Sequence, residues 1–245
     1  MLPPFPFDRR CWAANVPALV AAGYRVLTVD YPGFGLKAPP AGVSIAGIAE
    51  GVAALLDRLG LARATLLGLS MGGYVALAFA AHHPTRLRAL VLADTRAAAD
   101  TPAAREGRAQ AIETIGARGV DAYLDQSLPR LLAPDAAPTS LAMLRALAEE
   151  RPGPLLAGIA ALRDRPDRSA EVERIDCPTL VLAGERDQIV PVAELRALAA
   201  RLPAGQFVEI AGAGHLANLE AREAFDRHVV SFLRALPASS SGDHR

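Results

Sequence analysis

Leu66-Leu67-Gly68-Leu69-Ser70-Met71-Gly72-Gly73 decides how this chain is read, because it sets a serine between glycines where an apolar run gives way to a helical one. Residues 64–69 have the continuous apolar character of a strand buried on both faces, and Tyr74-Val75-Ala76-Leu77-Ala78-Phe79-Ala80 continues as a buried helix. Ser70 then sits on the turn between them. A turn that tight makes side chains two residues before and after the serine collide, so positions 68 and 72 need glycine. It also lifts the Ser70 hydroxyl clear of the sheet and aims the Met71 N–H, at the helix N-terminus, to where an oxyanion would form. Taken alone, the pattern also fits a glycine-rich turn with no chemistry.

Two further segments supply what a serine nucleophile lacks. Cys177-Pro178-Thr179-Leu180-Val181-Leu182-Ala183-Gly184 is a β-type run followed by Glu185-Arg186-Asp187-Gln188-Ile189-Val190-Pro191, which puts Asp187 just past the strand's carboxyl end. Residues 206–210 form another short strand, and Ala211-Gly212-Ala213-Gly214-His215 presents His215 on a glycine-rich loop. Serine, acid and histidine thus occur in the order Ser, Asp, His, at the edge where open α/β sheets place their sites. A serine hydroxyl is a weak nucleophile at neutral pH and requires an imidazole to take its proton, and a carboxylate behind the imidazole fixes its tautomer. Asp94, in Leu90-Val91-Leu92-Ala93-Asp94-Thr95, also ends a predicted strand and is a second candidate for the acid.

With these motifs the chain resembles the α/β-hydrolase superfamily, in particular its lidded group of 3-oxoadipate enol-lactonases, aryl esterases and cofactor-free perhydrolases. The likeness runs from Phe5-Pro6-Phe7-Asp8-Arg9-Arg10 through Asp30-Tyr31-Pro32-Gly33-Phe34-Gly35 and the Ser70 turn to residues 184–191 and 212–215. It implies an α/β fold: a mostly parallel twisted sheet with helices on both faces and a helical lid inserted after the sixth strand. It also implies Ser70 as nucleophile, His215 as general base and Asp187 as its orienting partner. The family's second oxyanion donor follows a His-Gly pair that here aligns with Pro3-Pro4, neither of which has an N–H to give. Phe5, directly after them and held extended by Pro6, is the expected donor beside Met71.

The same alignment leaves a gap. The family places the strand that ends at this loop between strands equivalent to residues 24–29 and 64–69, with others preceding it, and only Met1-Leu2 is present for all of them. A central strand cannot be dropped without stranding backbone groups on both neighbours. The expectation is a true start upstream, with an apolar, β-branched run ending just before Pro3. Protein expressed from Met1 should then be poorly soluble or molten.

Between Asp94 and Cys177 the alternation stops, and helical patterns occupy 101–117, 120–132, 138–150 and 152–163. The expected division is a core of 1–95 and 177–236, a lid of 96–176 and a disordered tail of 237–245. Lid leucines such as Leu128 and Leu144 are the pocket candidates, and the apolar lid favours a hydrophobic or aromatic substrate over a dianionic one.

Composition excludes several other classes. The 245 residues are 51% hydrophobic with a formal net charge of zero and no basic patch, which argues against nucleic-acid binding. No apolar span is long enough for a membrane helix and no signal peptide is visible. Cys11 and Cys177 fit a reducing, cytoplasmic setting and have no metal-ligand spacing, so no metal or cofactor is expected. Asp30 reads as a loop cap and the charge-dense 163–168 as a solvated hinge. His82 and His83 read as polar caps of a helix C-terminus, with His228 and His244 on the surface.

The resulting expectation is a serine hydrolase acting on a small carboxylic ester or lactone through an acyl-enzyme on Ser70. Perhydrolase, haloperoxidase-like or C–C bond hydrolase chemistry uses the same triad, and a low-turnover receptor-like binding protein is the alternative from another class. Epoxide hydrolases and dehalogenases of this fold need a carboxylate where Ser70 stands.

Overall fold

A computed structural model describes residues 1–34 and 43–237; Gly35 and most of the tail expected to be disordered, including His244, lie outside the described residues. In chain order the regular elements are α1 (Val16–Ala21), α2 (Ile45–Arg58), β1 (Ala64–Leu69), α3 (Met71–His82), β2 (Leu87–Ala93), α4 (Pro102–Ser127), α5 (Pro138–Leu147), α6 (Pro152–Arg163), β3 (Thr179–Gly184), α7 (Val192–Arg201), β4 (Gly205–Ile210), α8 (Ala217–Glu220) and α9 (Arg222–Ala235). The strands form one parallel sheet in the order β1-β2-β3-β4.

Alternation along the strands sorts the core into two layers. Leu66, Leu90, Leu92, Val181 and Ala183 face α2, α3 and α7, while Leu67, Leu69, Val91, Leu180 and Leu182 face α8 and α9. Each fully buried Leu or Val contributes about 1.5–3 kcal/mol of burial. Both layers being apolar is why the strands read as unbroken hydrophobic runs.

The insertion between β2 and β3 carries α4, α5 and α6. Gly119, at φ 84° and ψ 171°, breaks α4 at the boundary expected between 101–117 and 120–132. A 3-10 turn, Leu128–Leu131, follows α4. Residues 163–168 are solvated only in part: Asp164, Pro166 and Asp167 are exposed, while Arg165 and Arg168 are buried. Arg165 is buried, pairs with Asp100 at 2.7 Å, and holds its guanidinium 4.1 Å from the Tyr74 ring centroid. The charge density is satisfied internally, by an acid 65 positions earlier in the sequence. It fastens the end of α6 to the start of the insertion.

Residues 24–29 differ from their expected strand. They form no ladder, because their neighbour toward β1 is Met1-Leu2 alone. The Met1 ammonium donates to the Leu27 carbonyl at 2.6 Å and the Val29 N–H to the Met1 carbonyl. On the other side the Leu2 N–H donates to Leu67 at 2.8 Å, and Leu2 bridges Gly68 in parallel. Behind this pair, between 24–29 and β1, lies a cavity of about 180 Å³ lined by Tyr24, Val26, Leu66, Val91 and Leu233, among others.

Burial pushes the pKa of the Met1 α-amine down from 8.0 to about 5. Between those values the unfolded chain binds one proton more than the folded one, so stability rises with pH. Protein with a free Met1 amine should gain roughly 4 kcal/mol relative to its Nα-acetylated form between pH 5 and 8. Urea melts of both forms across that range measure the difference, and parallel pH profiles would show that the amine is not buried.

Candidate active site

Ser70 sits between β1 and α3 with φ 51° and ψ −112°, a conformation that non-glycine residues rarely adopt. Glycine is required around it for lack of space. A Cβ on Gly68 would lie 2.2 Å from the Gly72 carbonyl oxygen, and one on Gly72 would lie 2.2 Å from that of Leu2. The Thr95 hydroxyl, from the loop after β2, donates to the Ser70 carbonyl at 2.9 Å and braces the turn. Nothing in the sequence singled out Thr95, because its partner is a backbone atom 25 residues away.

Three loops at the carboxyl edge of the sheet bring the side chains together. Ser70 Oγ lies 2.8 Å from His215 Nε2, and His215 Nδ1 lies 2.7 Å from Asp187 Oδ2. With Nδ1–H donating to Asp187, Nε2 is left to accept from the Ser70 hydroxyl. Asp187 Oδ1 accepts from the N–H groups of Ile189 at 2.6 Å and Val190 at 3.1 Å, which fixes the carboxylate from behind. The His215 and Asp187 side chains are 2% and 0% exposed, so their pairing is protected from water.

Asp94 lies beside this chain of contacts and not in it. Its Oδ1 accepts from the Gly184 N–H at 2.7 Å, while Oδ2 is buried with no hydrogen-bond partner. Burial, reinforced by the Asp187 charge, pushes the Asp94 carboxyl well above the usual carboxylate range.

Phe5 is in a turn, and its peptide bond to Pro6 is cis. The Phe7 N–H closes the turn onto the Pro4 carbonyl at 2.9 Å. Among the described residues the N–H groups of Phe5 and Met71 donate to no protein acceptor. Unengaged amides are what an oxyanion requires. The Phe5 ring packs edge-on to Phe34 at 6.0 Å, and a Cβ on Gly158 of α6 would meet it at 2.6 Å, so the insertion closes over an aromatic surface. Leu128 and Leu144 are buried in the layer that also holds Ala213 and Leu216 of the histidine loop.

The remaining candidates sit elsewhere. The Asp30 carboxylate takes the Arg9 N–H at 2.8 Å and its guanidinium at 2.5 Å. His82 and His83 both contact the Glu50 carboxylate, joining α3 to α2. Among the described residues no group of three or more His, Cys, Asp or Glu could hold a metal, and no helix is long and apolar enough to cross a membrane.

This strand-turn-helix serine, with its acid and histidine on later loops of a parallel sheet, matches the family model described as the alpha/beta hydrolase fold over residues 5–222. The chain belongs to that family. A 2-hydroxy-6-oxononadienedioate/2-hydroxy-6-oxononatrienedioate hydrolase from Cupriavidus pinatubonensis is 32% identical over 232 residues, covering 89% of this chain and 79% of the relative. Among solved structures, a thermophilic esterase from Thermogutta terrifontis superposes with a TM-score of 0.90 at 35% identity, covering 96% of this chain and 88% of that one. An enol-lactonase from Burkholderia xenovorans LB400 gives 0.85 at 32% identity, covering 94% and 88%.

Proposed function

We propose that the protein is a serine hydrolase that cleaves a small carboxylic ester or lactone through an acyl-enzyme on Ser70. The contact sequence Ser70 Oγ, His215 Nε2, His215 Nδ1, Asp187 Oδ2 carries this reading. Ser70 attacks the carbonyl carbon as His215 takes its proton, and the oxyanion is held by the Met71 and Phe5 amides. Collapse of the tetrahedral intermediate expels the alkoxide or enolate, which receives the proton from His215. Water, activated by the same imidazole, then releases the acid and frees Ser70. Asp187 stays ionised throughout and stabilises the imidazolium. No step calls for a metal or cofactor. The two cysteines are unpaired, which supports a cytoplasmic setting.

Turnover of p-nitrophenyl acetate with a burst, together with an intact-mass adduct on Ser70 from a fluorophosphonate, tests the reading. A protein that takes no adduct and shows no burst is not a serine hydrolase. The Cupriavidus relative gives a second reading, C–C bond hydrolysis by the same triad, and a panel of esters, lactones and vinylogous diketones with and without peroxide separates the chemistries.

The insertion serves in this proposal as the lid. Its apolar contacts with Phe5 and Phe34 favour a hydrophobic acyl or leaving group over a dianion. Leu128→Ala and Leu144→Ala should shift the preferred acyl chain length by roughly 1–3 kcal/mol per pocket methylene. Because both leucines are also buried, melting temperatures are measured alongside. Uniform loss across substrates would assign them to packing alone.

A further inference from the structure

Glu220, at the end of α8, uses both oxygens of one carboxylate to join segments that are far apart in the chain. Oε1 accepts from the Ala133 N–H at 2.8 Å and Oε2 from the Gly214 N–H at 2.8 Å. Ala133 belongs to the insertion; Gly214 immediately precedes His215. We propose that Glu220 is a positioning residue for His215, tying the loop of the base to the insertion and holding a negative charge near the imidazole. The proposal rests on the reading of His215 as the general base.

Several independent contacts show that residues 131–135 act as a strap across the loops that carry the acid and the base. The Leu216 N–H donates to the Leu131 carbonyl at 3.2 Å, and Gln188 Nε2 to the Leu132 carbonyl at 2.7 Å. Arg186 pairs with Asp135. No slack remains in the histidine loop. A Cβ on Gly214 would lie 2.3 Å from the Ala133 nitrogen, and one on Gly184 would lie 2.0 Å from the Gly214 oxygen. The loop is therefore clamped between the end of β3 and the strap, and Glu220 supplies the hydrogen bonds on the strap side. A carboxylate suits the place because two N–H groups converge on it, and replacing one oxygen by an amide NH2 would set a donor against a donor.

Charge adds to the effect of geometry. The groups facing this corner are Asp187 after β3, Asp94 after β2, Arg186 on the acid loop and His215 itself. Burial pushes the Glu220 carboxyl up, the two N–H groups draw it back, Asp187 raises it and His215 lowers it. An ionised Glu220 thus favours the imidazolium that forms during attack, adding to Asp187.

Glu220→Gln tests both parts. It should slow fluorophosphonate labelling of Ser70 by on the order of tenfold to a hundredfold while leaving the ester KM nearly unchanged. Loss of the nearby negative charge disfavours the imidazolium, so the His215 titration, followed by NMR of its Cε1 proton, and the acid limb of the labelling profile should both move to lower pH. Gln188→Ala loosens the strap without touching the charge, so it should slow labelling and leave the His215 pKa in place. A folded Glu220→Gln protein with unchanged labelling and unchanged His215 titration would overturn the proposal. If Glu220→Gln does not melt cooperatively, Gln188→Ala decides: an unchanged labelling rate overturns it. Should the wild type take no adduct at all, the hydrolase reading fails, while the His215 titration still decides the role of Glu220.

Discussion

Ser70→Ala and His215→Ala should each lower ester turnover by about three to six orders of magnitude, and the double variant should lose little more, because the members of such a triad act as a unit. The geometry supports that size of effect. His215 Nε2 lies 2.8 Å from Ser70 Oγ, so either substitution removes the path by which the nucleophile sheds its proton. Both variants should keep the fold. Ser70→Ala relaxes a residue held at φ 51°, where the backbone conformation costs of order 1–3 kcal/mol, only if the turn itself yields, which the Gly68 and Gly72 contacts oppose. Near-wild-type turnover in Ser70→Ala, purified free of contaminating esterase, would remove the serine mechanism.

Asp187→Asn should cost on the order of ten-thousand-fold in turnover, the size known for a wrong-tautomer substitution behind a catalytic histidine, while Asp94→Asn should cost less than about tenfold. The contrast follows from the two environments. Asp187 accepts from His215 Nδ1 and from two backbone N–H groups, so an amide there presents an NH2 to at least one donor. Asp94 accepts from the Gly184 N–H through one oxygen and leaves the other without a hydrogen-bond partner, in a buried setting that favours a neutral group. Asparagine reproduces that neutral group closely and tolerates the φ of 46° found there. The two variants are compared by kcat on one ester and by thermal melts. The reverse ordering would move the acid to the end of β2.

The four strands and the side chains of Ser70, Asp187 and His215, which the structure brings into contact, were visible in the sequence because each is written locally. An apolar run identifies a strand buried on both faces, the glycines at 68, 72 and 214 mark places where a side chain has no room, and Gly212 takes a positive φ of 72°. Glu220 was not visible. It stands five residues after His215 with nothing around it to suggest a ligand, and one of its partners, Ala133, is 87 positions away. Arg165 was misjudged for the same reason: charge density is a local property, whereas its ion pair with Asp100 and its stacking on Tyr74 are made by the fold. Residues 24–29 have strand composition yet form no ladder, since pairing depends on a neighbour that composition does not describe. The order after two prolines offers Phe5 as the donor beside Met71, but nothing in the sequence signals the turn and cis peptide bond found there.

The contact between Gly72 and Leu2 links the nucleophile to the first residues of the chain. The Leu2 carbonyl occupies the space a Gly72 side chain would need, and Leu2 is held to β1 by the Leu67 and Leu69 backbone groups and by burial of its side chain in the core. The serine turn is therefore only as durable as the seating of two residues at the margin of the sheet. Native proteins open in cooperative patches of unequal stability. If residues 1–2 and the Ser70 turn open together as one such patch, the turn is lost while β2, β3 and their helices stay closed. Under the proposed mechanism, heat or denaturant would then disturb the Ser70 turn before the bulk of the molecule registered the change.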